Sequence, residues 1–278
     1  YNYNYNYKYK HNLGLKSIFI VIALFLCQLD YNRAQGEMLN TKGFNLAARS
    51  DRSDRGFSDS EVEMTMILRN SAGKQASRTL RFTTLEIPDE SIGDKSLILF
   101  RTPKDIEGTA LLSHAKMLDP DDQWLYLPAL KRIKRISSRN KSGPFVGSEF
   151  AFEDFTASEL NKFRYTYIRE EPCEELVCDV IERIPLYENS GYQKQIAWVD
   201  NSTYQLRKIE FYDRKGSFLK QLILEDYRLY NQKYWRPHRL KMKNMQTNKS
   251  SDLVYGQYKF KVGLIGSDFV KGRLSKLR

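Results

Sequence analysis

The chain is poor in the residues that usually carry chemistry, with three histidines and three cysteines among 278 residues. His11 lies in a segment read below as removed, and His114 and His238 stand far apart without metal-ligand spacing around either. His114 follows Ser113 on an expected strand, yet no Gly-x-Ser-x-Gly elbow exists to expose a nucleophile, and no glycine-rich loop exists to cradle a phosphate. The carboxylates Asp121 and Asp122, or Glu149, Glu153 and Asp154, could form an acid/base couple, but turns and helix starts collect such residues anyway. The composition points away from an enzyme, a metal site and a cofactor.

A long apolar run is also lacking. The longest, Ile18 to Cys27, has 10 residues, about half of the ~20 needed to span a bilayer. Lys8, Lys10 and Lys16 precede it, and Ala34 and Gly36 follow at the spacing of a small-x-small cleavage site, which is the layout of a secretory signal peptide. Leu26 is bulky where a lipidated cysteine has a small neighbour, so Cys27 is not read as a lipid anchor. The alternating Tyr-Asn of residues 1–7 reads as an artefact of where the frame was opened. Residues 1–36 are thus set apart as extension plus signal, and residues 37–278 form one exported, periplasmic domain of 242 residues. That part keeps 41 basic and 33 acidic side chains, a net +8, so the positive charge belongs to the folded protein. Outside the cytoplasm the expected partner is anionic lipid or an acidic protein surface, not nucleic acid.

Two cysteines survive cleavage, Cys173 and Cys178. In an oxidising compartment their spacing predicts a local disulfide pinning a hairpin. No histidine or second cysteine pair lies near enough to suggest a metal instead.

From Glu61 onward the pattern has period two. Val62, Met64 and Met66 alternate with Glu61, Glu63 and Thr65, and Ser77–Ile87 returns with Leu80 and Phe82 on one face. Strands are expected at 96–101, 109–118, 123–127 and 130–136, then at 163–169, 177–184, 193–200, 205–213, 218–230, 234–245 and 252–262. Turn residues such as Asn189–Gly191 and Asp213–Gly216 separate them. In the strand at 234–245, Leu240 and Met242 face one way and Arg239, Lys241 and Lys243 the other. Before the strands, residues 37–50 have loose helical spacing and end in a polar loop, 49–56; a short helix start is expected near 154–159.

The densest local signal is DPDDQWLYLPALKRIKRISSRNKSGPFVGSEFAFED, residues 119–154. Its basic side chains Lys131, Arg132, Lys134, Arg135 and Arg139 form either an anion-binding rim or a solvated face. On a strand they cannot share one side, since Lys131, Ile133 and Arg135 point opposite to Arg132, Lys134 and Ile136.

This stretch, with RSDRSDRGF (49–57), WVDNSTYQLRKIEFYDRKGSFLK (198–220) and WRPHRLKMKNMQTNKS (235–250), resembles the bacterial periplasmic outer-membrane lipoprotein-sorting proteins, relatives of the carrier LolA. The resemblance covers essentially all of residues 37–278. It implies a mainly β fold, one curved antiparallel sheet forming an incomplete, unclosed β-barrel, with the N-terminal helix and a short internal helix covering the concave face. It also implies a carrier of lipid or lipoprotein acyl chains towards the outer membrane, working beside an inner-membrane RND/MMPL-type transporter. Val62, Met64, Met66, Leu80, Phe82, Trp124, Leu240 and Met242 are the candidate cavity, and the five basic residues the candidate headgroup or partner rim. The competing expectation is an adaptor subunit of an envelope transport complex with no ligand of its own.

Overall fold

The computed structural model describes residues 33–89, 92–156 and 159–277, so the expected signal segment lies almost wholly outside the described residues. Fourteen strands form one antiparallel sheet. The first six are β1 (Asp59–Arg69), β2 (Gln75–Leu85), β3 (Lys95–Thr102), β4 (Ala110–His114), β5 (Asp122–Leu127) and β6 (Arg132–Ile136). The next are β7 (Phe163–Cys173), β8 (Leu176–Pro185), β9 (Tyr192–Asp200), β10 (Leu206–Asp213), β11 (Phe218–Tyr230), β12 (Tyr234–Asn244), β13 (Ser250–Tyr255) and the two-residue β14 (Lys259–Phe260). Each strand from β1 to β5 pairs with its successor, and so does each from β7 to β12, while β14 pairs with β1. The two meanders join where β1 pairs with β13, Met64 opposite Tyr255. The free edges are β6 and β7, so the sheet curves without closing.

Alternation explains the curvature's inside. One face of every strand from β1 to β13 contributes to a single cluster, including Met66, Leu80, Phe100, Ile136, Ile181, Phe211, Met242 and Leu253. A one-residue slip in any strand would turn its apolar set to water, so this shared face fixes the register. The opposite face is covered only locally. There Leu99, Leu112 and Tyr126 pack under Phe269 and Leu274, which come from C-terminal 3-10 turns at Gly266–Phe269 and Lys271–Lys276.

Two pieces of chain cover the concavity. Helix α1 spans at least residues 33–53, running through most of the segment expected as a polar loop. It contains no proline, and charges pair along it and across its end, as Arg33 does with Glu37 at 3.3 Å and Asp51 with Arg55 at 3.2 Å. Leu46 and Ala47 enter the main cluster. At Gly43 the helix comes so close to β7 that an added Cβ would stand 2.8 Å from the Tyr167 backbone nitrogen. No described helix is long and apolar enough to cross a membrane.

The second cover is the crossing segment, residues 137–162, which bridges the two free edges. Phe145, fully buried, packs tilted or edge-on against Phe100, Phe152 and Phe155 with ring centroids 4.5 to 5.7 Å apart. The expected internal helix is here only 3-10 turns, at Phe152–Phe155 and Leu160–Lys162. The expected strand 252–262 is broken into β13 and β14, and 130–136 starts two residues late because Pro128–Leu130 forms a 3-10 turn. Cys173 and Cys178 are joined by a disulfide across the β7–β8 hairpin, with Cα atoms 5.8 Å apart.

Candidate functional site: the hollows beneath the helix and crossing segment

Of the residues expected to line a cavity, Met64, Met66, Leu80 and Met242 lie in the main cluster, with Phe82 and Leu240 packed against it. Val62 is buried two residues from Met64, on the same side of β1. Trp124 is on the other face, edge-on to His114 at 5.0 Å and packed against the outer cluster. The inward set is floor already filled by its own packing. Two hollows that lie on the concave side are elsewhere, over β7–β12.

One hollow, of about 170 Å³, lies between the crossing segment and β7–β11, with Phe163, Leu206, Ile209, Phe211 and Leu222 as apolar wall. A second, of about 340 Å³, lies against the C-terminal part of α1, with Ala47, Leu160, Tyr165, Ile181, Leu224 and Tyr227 among its lining. Both are lined by Arg183 and Leu206, which stand where the two approach each other. The larger is within the usual ~300–1,000 Å³ of small-molecule sites.

Polar groups at the walls are mostly paired. Glu153 accepts from Gly191 N at 2.8 Å, Ser190 Oγ at 2.9 Å and Tyr187 OH at 3.2 Å. Burial, reinforced by neighbouring Asp154, nevertheless pushes its carboxyl above the ordinary range. Asp154 accepts from Lys220 at 2.6 Å and Tyr192 OH at 2.7 Å. Asp121 pairs with the buried Lys162, while Lys141 donates to the Asp121 carbonyl. Burial drives Tyr187 and Tyr192 well up and Tyr165 to about 12, so all three stay neutral hydrogen-bonding groups. In the larger hollow Arg55 answers Glu159 at 3.6 Å, and Arg236, pushed down to about 10 by burial, pairs with Asp54. These carboxylates are engaged in holding the covers to the sheet. Among the described residues no histidine, cysteine and carboxylate cluster suits a metal ion.

The basic segment sits on the free edge β6. Lys131 precedes the strand, closing the 3-10 turn in a left-handed conformation with φ of 45°. Ile136 enters the main cluster and Ile133 packs on the outer face. Arg132 and Lys134 therefore leave the concave side, opposite Leu127 and Leu125, whereas Arg135 leaves the outer side and pairs with Asp122. All five basic side chains, Arg139 included, are exposed. The structure thus puts them along one rim, but apart from the filled floor.

The residue missed in the sequence is Arg183. Its signal was present: in VIERI, residues 180–184, it stands two positions after the inward Ile181 and so faces the concavity too.

An unclosed antiparallel sheet with two pieces of chain laid over its concave side is a fold that several solved structures share. A family model described only as an uncharacterized protein matches residues 93–276. A solved structure from Vibrio parahaemolyticus, described as an outer membrane lipoprotein-sorting protein domain, is 46% identical, with a TM-score of 0.82 over 85% of this chain and 99% of that one. A DUF1329 family protein from Desulfovibrio piger is 25% identical, with a TM-score of 0.80 over the same shares. A LolA superfamily protein from Nitrosomonas europaea, at 20% identity and TM-score 0.66 over 82% and 97%, shares the fold. No curated protein sequence matches. The chain belongs to the outer membrane lipoprotein-sorting protein family.

Proposed function

We propose that this protein is a periplasmic carrier that shelters acyl chains, of a lipid or a lipidated protein, in the hollows on its concave face during passage towards the outer membrane. The observation that carries the reading is the pair of hollows beneath α1 and the crossing segment, each with apolar side chains along part of its wall and charged groups along the rest. The 46% identical relative described as a lipoprotein-sorting domain supports it. Each methylene buried there is worth about 0.8 kcal/mol, so a chain of ordinary length leaves water for such a site and leaves the site only for a better receiver. Family resemblance supplies the further proposal that the donor or receiver is an RND/MMPL-type transporter. The reading assigns no catalytic residue.

Native mass spectrometry of protein purified from its own envelope tests the reading. A carrier retains one or more adducts of lipid mass. Protein that is empty in every preparation points to the adaptor instead.

A further inference from the structure

Among the described residues, Arg183 is a buried cation without a counter-ion. Only 9% of the residue is exposed, and none of the ion pairs among the described residues includes it. Nη2 donates to Gln195 Oε1, Nε is closed from water with no partner, and Nη1 donates to no described residue. The Phe163 ring stands 4.8 Å from the guanidinium carbon, and the neutral Tyr165 and Tyr187 are also near it. A lysine in this place could lose its proton; a guanidinium stays charged in any protein environment.

The nearby carboxylates do not offset it. Glu153 faces three donors from the β8–β9 turn and its neighbours, Asp154 is held by Lys220, and Asp121 by Lys162. On the other side Glu159 faces Arg55. With the exposed Glu188 set aside, the lining of the smaller hollow carries as many cations (Lys141, Lys162, Arg183) as carboxylates (Asp121, Glu153, Asp154), so the missing partner is local to Arg183 and not a general excess of charge. A buried charge without compensation is costly to keep, and an anion placed against it removes that cost. A planar fork with free N–H groups also fits the two oxygens of a carboxylate or phosphate.

We infer that Arg183 is the recognition site for the anionic head of a single-chain amphiphile, a carboxylate or phosphate oxygen pair resting on the guanidinium while the chain lies along Leu206 and the adjoining apolar wall. This rests on the carrier reading and adds the cargo's charge to it. The head is then held inside the concavity, not at the basic rim of β6.

Binding of palmitate, palmitoyl lysophosphatidylglycerol and methyl palmitate to the mature chain tests the inference, with tryptophan fluorescence or calorimetry as readout. The wild type should bind at least one anion tenfold or more tighter than the ester. Arg183→Met should erase that preference while ester binding stays or improves, and Arg183→Lys should keep part of it. The anion that loses more in Arg183→Met identifies the head. Equal binding of acid, phosphate and ester by the wild type overturns the inference even if Arg183→Met does not fold, and so does a preference that survives Arg183→Met. Ester binding without anion preference leaves the carrier reading standing and removes only the anchor; binding of none of the three removes both.

Discussion

Glu153 shows how one side chain can be both structural and a source of pH dependence. It ties the crossing segment to the turn before β9 through Ser190 and Gly191, and burial raises its pKa. A carboxyl with a higher pKa folded than unfolded binds more protons in the native state. Stability then falls as pH rises from the unfolded pKa of about 4.3 towards the folded value. Glu153→Gln removes this titration while keeping an acceptor oxygen. Urea midpoints between pH 4.5 and 8 should therefore decline less steeply in the variant than in the wild type. Some slope should remain, because burial raises Asp94 and Glu159 as well. Parallel declines in the two proteins would show that Glu153 is ionised throughout this range.

At the scale of elements, the contact of α1 with β7 is set by the absence of a side chain. Glycine within a helix ordinarily costs about 1 kcal/mol relative to alanine, and at Gly43 the gain is close approach: Thr166 and Tyr167 backbone atoms lie within 2.8–3.0 Å of where a Cβ would be. Thr166 Oγ1 to Asn40 Oδ1 at 2.9 Å, and Lys42 over the Tyr167 ring at 3.4 Å, hold the helix on either side. Gly43→Val should lift the helix, uncover Leu46 and Ala47, and destabilise by about 1–3 kcal/mol. Hydrogen exchange should show faster exchange across residues 33–53, and retained lipid should fall. An unchanged melting temperature with full helix protection would mean that the contact is not tight.

Strand positions were legible because a half-buried sheet writes its period into the chain, as Val62-Met64-Met66 against Glu61-Glu63-Thr65 does. The ends were less so: Lys131 reads as strand by sequence, and only the turn at Pro128–Leu130 removes it. The cavity was the least legible. An inward methionine looks the same in sequence whether it borders space or is covered, and Phe145, arriving from the crossing segment, helps fill the floor near Phe100. Trp124 reads as inward because its polar neighbour Gln123 marks the other side as outer, yet Gln123 is itself buried on the concave side, donating to Ser113 Oγ and the Phe152 carbonyl.

For the molecule as a whole, the positive charge is unevenly used. Arg132 and Lys134 extend the concave face at a free edge, with Arg135 on the reverse of the same strand. We expect reversal of all three to glutamate to weaken binding to anionic vesicles, most at low salt, where the screening length is longest. A folded triple variant that binds like the wild type at every salt concentration would reduce this rim to a solvated edge. The rim and Arg183 are separable in such measurements, since vesicle adsorption reads the first and monomeric amphiphile binding the second.

The order of strands also has a consequence for connectivity. Because β1 pairs with β13, the sequence enters and leaves the sheet at its middle, while the break between β6 and β7 falls in mid-chain. A circular permutant with its old ends linked and new ends opened between 137 and 162 would trace the β1–β13 path as one uninterrupted meander, from one free edge to the other. The natural chain is that meander cut at the centre and tied across its margins, and the tie is the segment that roofs the smaller hollow.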